Sequence, residues 1–146
     1  MKKTIFYILT FSIAFMMTSC DFGVKKHNNR NDIKQAEKVT GWYYYHLMNK
    51  NFDSIYPLIS DLLWDYTSEK EFKKALSDMD SIHGKIEVLE LLGAESINES
   101  KFGGGGIEEC RLLYKVVYRD LEMTHEFFVH KVDFAYKIHT VNFYEK

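Results

Sequence analysis

The stretch Glu109-Cys110-Arg111-Leu112-Leu113-Tyr114-Lys115-Val116-Val117-Tyr118-Arg119 decides the fold class. Cys110, Leu112, Tyr114, Val116 and Tyr118 alternate with Glu109, Arg111, Lys115 and Arg119, the period of two expected of a half-buried β-strand. One face is apolar and points to a core, while Leu113 and Val117 fall on the other. Within that core face Cys110 reads as a small buried hydrophobe.

Working outward, a turn at 119–121 leads into 122–131, where Met123, His125, Phe127 and Val129 share one face and Phe128 lies opposite. A second turn near Asp133 leads into 136–144, which begins with Tyr136. On the other side, 101–106 holds four consecutive glycines and reads as a loop between long strands, because glycine neither packs nor resists bending. Before it, 85–97 alternates with Ile86, Val88 and Leu92 on one face and Leu89 and Leu91 on the other, so both faces are expected to be partly covered. These are four antiparallel strands in a row.

The preceding segment has the helical period. Asp32 followed by Gln35 marks a start, and Ala36, Val39, Tyr43 and Leu47 recur at helical spacing to about Lys50. Trp42 and Tyr45 fall off that stripe. Asp53 can cap a short second helix over 54–63 that carries Pro57 in its first turn or so. Ser68 and Glu71 fit a capping box for a third helix with Phe72, Ala75, Leu76 and Met79 on one face, and Gly84 stops it. Three helices followed by four strands predict an α+β fold with segregated layers, the sheet curling over the long first helix.

The first twenty residues have a different logic. Lys2 and Lys3 precede an apolar run from Ile5 to Met17, then Thr18, Ser19 and Cys20, the order of a secretory signal. A membrane-spanning helix needs roughly 20 apolar residues, and this run is shorter. Met17-Thr18-Ser19-Cys20 resembles the lipobox of bacterial lipoproteins, with Met where that family usually carries Leu. The resemblance implies cleavage after Ser19 and acylation of Cys20, placing the protein in the cell envelope, anchored to inner or outer membrane. Its lipid partner is then reached through Cys20, each buried CH₂ contributing on the order of 0.8 kcal/mol. The predicted division is a signal peptide over 1–19, a lipidated cysteine with a polar flexible tether over 20–31, and one domain over 32–146.

Composition fits this. A hydrophobic fraction of 46% and an aromatic fraction of 16% supply a core for one domain. Loss of Lys2 and Lys3 takes Lys+Arg from 19 to 17 against 21 Asp+Glu, a formal charge of about −4, which argues against a nucleic-acid partner. With only Cys20 and Cys110 present, no disulfide is expected.

Three segments carry a wider likeness: Asn51-Phe52-Asp53-Ser54-Ile55-Tyr56-Pro57-Leu58-Ile59-Ser60, Thr67-Ser68-Glu69-Lys70-Glu71-Phe72, and His83-Gly84-Lys85-Ile86. With the element order, 32–146 resembles the nuclear-transport-factor-2-like (cystatin-like) superfamily, and within it the small bacterial lipoproteins. The resemblance implies a cone in which a bent sheet wraps the first helix and can leave a pocket at its wide end. In different relatives that pocket serves isomerases, dehydratases, polyketide cyclases or no catalysis. It also implies sheets that pair face to face, which would make Leu113, Val117 and Phe128 a homodimer interface.

Catalytic relatives place an Asp/His pair, or an Asp with a Tyr, inside the cone. Here the inward candidates are Tyr114, Tyr118, His125 and Tyr136, and no matching aspartate is apparent. They are therefore ligand-binding candidates, and no catalytic residue, metal ligand or cofactor is expected. His125-Glu126-Phe127-Phe128-Val129-His130 is one residue too long for the zinc-protease helix motif and reads as strand, where alternation puts the two histidines on opposite faces. The glycines lack the Lys-Ser/Thr of a phosphate loop. The expected function is a non-catalytic envelope lipoprotein whose domain binds a small molecule or a protein. The alternatives are an isomerase- or dehydratase-like enzyme using His125 with Tyr114, and a structural homodimer.

Overall fold

The computed structural model describes residues 24–100 and 107–145. The signal over 1–19, Cys20 and the loop over 101–106 lie outside the described residues. The elements run β1 (Val24–His27), α1 (Arg30–Met48), two single 3₁₀ turns (Phe52–Ser54 and Tyr56–Leu58), α2 (Asp61–Trp64), α3 (Glu69–His83), β2 (Ile86–Ser100), β3 (Ile107–Tyr118), β4 (Glu122–Val132) and β5 (Ala135–Glu145). The strands form one open, curved antiparallel sheet in the order β1-β2-β3-β4-β5.

The fold is α+β, as the change of period predicts, with four long strands after the helices. Three details differ. First, α1 begins at Arg30, because the Asn29 side chain caps it by accepting from the Asn31 N–H at 3.0 Å; Asp32 lies inside the first turn. Second, the helix expected over 54–63 is broken. Pro57 offers no N–H, and Ile59 pairs in parallel with Ile138 while the Ser60 N–H donates to the Ile138 carbonyl at 2.8 Å. Extended backbone at 59–60 interrupts the helical run, which resumes as a single turn capped by Ser60. Third, Val24–His27, within the stretch expected as tether, adds a short edge strand against Ile97–Ser100. Backbone pairing with an already extended β2 needs no apolar pattern, so this strand had no signal of its own.

The third helix follows its sequence. Ser68 and Glu71 form the reciprocal capping box, and Gly84 ends the helix at φ +80°. The open stretch of β2 differs from expectation: Val88, Leu89, Leu91 and Leu92 are all substantially exposed. Register shifts at 86–88 and 91–93 disturb the alternation, and β1 covers only the far end of the strand.

The core lies between α1 and one face of the sheet. Tyr43 and Tyr44 meet Phe127 at ring-centroid distances of 5.1 and 5.5 Å, and Tyr44 meets Tyr114 at 5.1 Å, each edge to face. Ala36, Leu112, Val116, Val129 and Ile138 are fully buried around them. Cys110 is a buried free thiol whose pKa is pushed up to about 12, first by burial and then by Asp32, Glu109 and Glu108. It is packing, with no thiolate character.

Candidate functional site

The side chains of α1 and α3 do not close completely over the sheet. Between them lies a cavity of about 550 Å³, walled by Tyr43 and Leu47 of α1, Phe72 and Leu76 of α3, and Tyr118, His125 and Phe143 of the sheet. Its size falls within the range of small-molecule sites. The acids at its margin are paired: Lys50 with Asp80 at 2.6 Å, and Lys74 with Asp78 at 2.5 Å. The wall is therefore apolar and aromatic, with no unpaired acid at the lip.

Two polar atoms lie buried behind this apolar lining. The Tyr43 hydroxyl and the His125 Nε2 are buried, and neither has a hydrogen-bond partner among the described residues. An unpartnered buried polar group costs on the order of 1–3 kcal/mol, so two of them behind one cavity wall are a notable local cost. His125 is otherwise well held. Its Nδ1 lies 3.0 Å from the Tyr44 hydroxyl, and Phe143 stands edge-on to its ring at 4.7 Å. Burial pushes its pKa down to about 4, so the imidazole is neutral near pH 7. Burial likewise pushes the Tyr43 phenol well up, with Tyr118 adding to it, which keeps it protonated.

The four sequence candidates separate. Tyr118 and His125 line the cavity together, and burial, then Asp80, pushes the Tyr118 pKa to about 12. Tyr114 is buried behind them, its hydroxyl 2.7 Å from that of Thr40, which itself bonds the Ala36 carbonyl at 3.1 Å. Tyr136 donates to Asp32 at 2.6 Å near the start of α1. His125 and Tyr114 are cross-strand neighbours, but their hydrogen bonds go to different partners. Tyr44 holds the histidine instead, and Tyr43 supplies the second polar atom. Tyr43 was legible as a core position, but nothing in sequence marks its hydroxyl as unsatisfied.

No carboxylate hydrogen-bonds to His125 among the described residues. His130 is elsewhere, its Nε2 2.9 Å from the Ser60 hydroxyl and its ring 4.8 Å from that of His139. Among the described residues no cluster of three or more His, Cys, Asp or Glu side chains is arranged to hold a metal. On the outer face Leu113, Val117 and Phe128 are half-buried. Glu126 beside them is buried under Arg111 at 2.5 Å, Tyr144 at 2.8 Å and Asn142 at 3.0 Å. Comparison with family models, with curated proteins and with solved structures finds no match for this chain.

Proposed function

We propose that this chain is an envelope lipoprotein, held by an acylated Cys20, whose NTF2-like cone binds a small, uncharged, mainly apolar molecule without transforming it. One observation carries the binding half: a mainly apolar and aromatic cavity of about 550 Å³ lies against Tyr43 and His125, whose Oη and Nε2 are buried behind its wall without a partner among the described residues. A ligand with an apolar body buries it against Leu47, Phe72 and Leu76, and a hydroxyl or carbonyl group on it gains a partner when the Tyr43 or His125 ring turns toward the cavity. The apolar wall, the paired acids at the lip and the neutral imidazole favour an uncharged guest, although Lys85 at the same margin is a cation without an ion pair among the described residues. The absence of catalysis is supported by His125 itself: its partner is a phenol, which holds the ring but brings no negative charge to stabilise an imidazolium as a carboxylate would.

The two halves have separate tests. Intact-mass analysis of the chain from its host membranes is expected to show a mature N-terminus at Cys20 carrying acyl mass; retention of residues 1–19 or a bare thiol defeats the anchor. For binding, extraction of the same protein is expected to release a neutral apolar compound that Met79→Trp, which fills the cavity, no longer retains. At one hundred times its Kd the compound stabilises wild type by about 2.7 kcal/mol. If nothing co-purifies and no apolar neutral compound in a thermal-shift panel moves the wild-type midpoint, the binding half fails.

A further inference from the structure

The face of α1 turned away from the sheet has an ordered composition of its own. Ala36, Thr40, Tyr43, Tyr44 and Leu47 are buried against the core, while Arg30, Lys34, Lys38, Trp42, Tyr45 and Met48, at steps of three and four, form the exposed ridge. Trp42 is 47% exposed, Tyr45 53% and Met48 50%, so half of each large side chain meets solvent. Trp42 is braced by Tyr45 edge-on at 5.5 Å and by His46 stacked at 5.9 Å, which holds the rings in a fixed cluster.

The charges on this ridge have one sign. Among the described residues Arg30, Lys34 and Lys38 form no ion pair. The only acids of α1 are Asp32, buried and bonded by Tyr136, and Glu37, half-buried on the flank. In a chain with more acids than bases, a line of three free cations running into exposed Trp and Tyr is a local reversal. Cations attract anionic headgroups, worth about 1 kcal/mol each near a charged bilayer, and Trp and Tyr settle at the interface with ring inward and polar edge in water. A single convex helix ridge can press into a deformable lipid layer. It offers a protein little of the roughly 800 Å² per partner that a stable interface buries.

We infer that the outer ridge of α1 from Arg30 to Met48 docks on a bilayer surface containing anionic phospholipid. The inference is separate from cavity binding except at Met48, whose side chain also borders the cavity. It gains from the anchor, because the ten residues from Cys20 to Arg30 span at most ~36 Å and would keep the domain near the bilayer, but it does not need acylation. The test uses the full chain purified from its host membranes, with Trp64→Phe leaving Trp42 as the only tryptophan, mixed with phosphatidylglycerol/phosphatidylcholine vesicles whose acyl chains are brominated near the headgroup. Trp42 emission is expected to shift to the blue and to be quenched. The double variant Lys34→Gln/Lys38→Gln is expected to lower the docked-to-undocked ratio by roughly 30-fold. If Trp64→Phe does not fold, the difference between wild type and Trp42→Phe gives the same signal. Trp42 emission unchanged by phosphatidylglycerol vesicles, with the acyl anchor inserted or absent, overturns the inference and leaves the ridge to a protein partner. Quenching equal in pure phosphatidylcholine and in the lysine variant overturns the anionic requirement.

Discussion

His125 is the residue at which packing, protonation and the cavity meet. Its pKa is lowered by burial from the ordinary 6.5 to about 4. Between those values the unfolded chain binds a proton that the folded chain refuses, so stability falls as pH falls. The contribution is fully present above pH 6.5 and is lost through the window down to about 4, on the order of 3 kcal/mol. His130 is lowered too, by burial and then by His139, and adds slope of the same sign. His125→Phe is expected to flatten urea-unfolding stability across that window, leaving the His130 share, while leaving the Tyr44 hydroxyl unpaired at neutral pH for about 1–3 kcal/mol. An unchanged slope would mean the imidazole is not excluded from water. The alternation of β4 showed His125 pointing inward. It did not show which hydroxyl holds it, because Trp42, Tyr43, Tyr44 and Tyr45 put aromatic rings around much of the helix, and only the docked sheet sorts buried from exposed.

At the scale of single elements, boundaries set by local contacts are legible in the sequence and those set by distant partners are not. The α3 boundaries follow from Ser68, Glu71 and Gly84, each acting within its own turn. The break at 59–60 depends on Ile138, and the strand at 24–27 on Ile97–Ser100, partners far away in sequence that no window around either segment contains. Gly84 gives the element-scale prediction. Its φ of +80° with ψ of −164° is backbone that L side chains rarely adopt, yet a Cβ there would meet Arg119 Cζ only at 3.9 Å, an ordinary contact. Gly84→Ala should therefore cost about 1–3 kcal/mol through backbone strain alone. Enlarging Arg119's room with Arg119→Ala should not recover it. Urea midpoints of the two single variants and the double decide this: recovery in the double would assign the cost to collision.

For the molecule as a whole, the order of helices and strands was readable because each change of period is local, whereas the cavity was not. It exists only because α1 and α3 are held apart over the sheet, bringing Phe72 and Phe143 to the same space. Phe127 is the part of the core on which that geometry rests. It is fully buried and meets Tyr43, Tyr44 and Tyr114, so it backs both the tyrosine that lines the cavity and the one that holds His125. Phe127→Ala removes about 3–5 kcal/mol from a domain whose total stability is of order 5–15 kcal/mol, and frees the Tyr43 and Tyr44 rings to tilt into the space left behind. Phe127→Leu, closer in volume, should cost much less and keep those rings in place. The expected result is a large drop in urea midpoint and loss of ligand-induced stabilisation in Phe127→Ala, against a small drop with stabilisation retained in Phe127→Leu. If Phe127→Ala loses stability but still gains the full ligand-induced shift, the two tyrosines are held by the helix backbone rather than by the ring beneath them, and the cavity wall is more rigid than its packing implies.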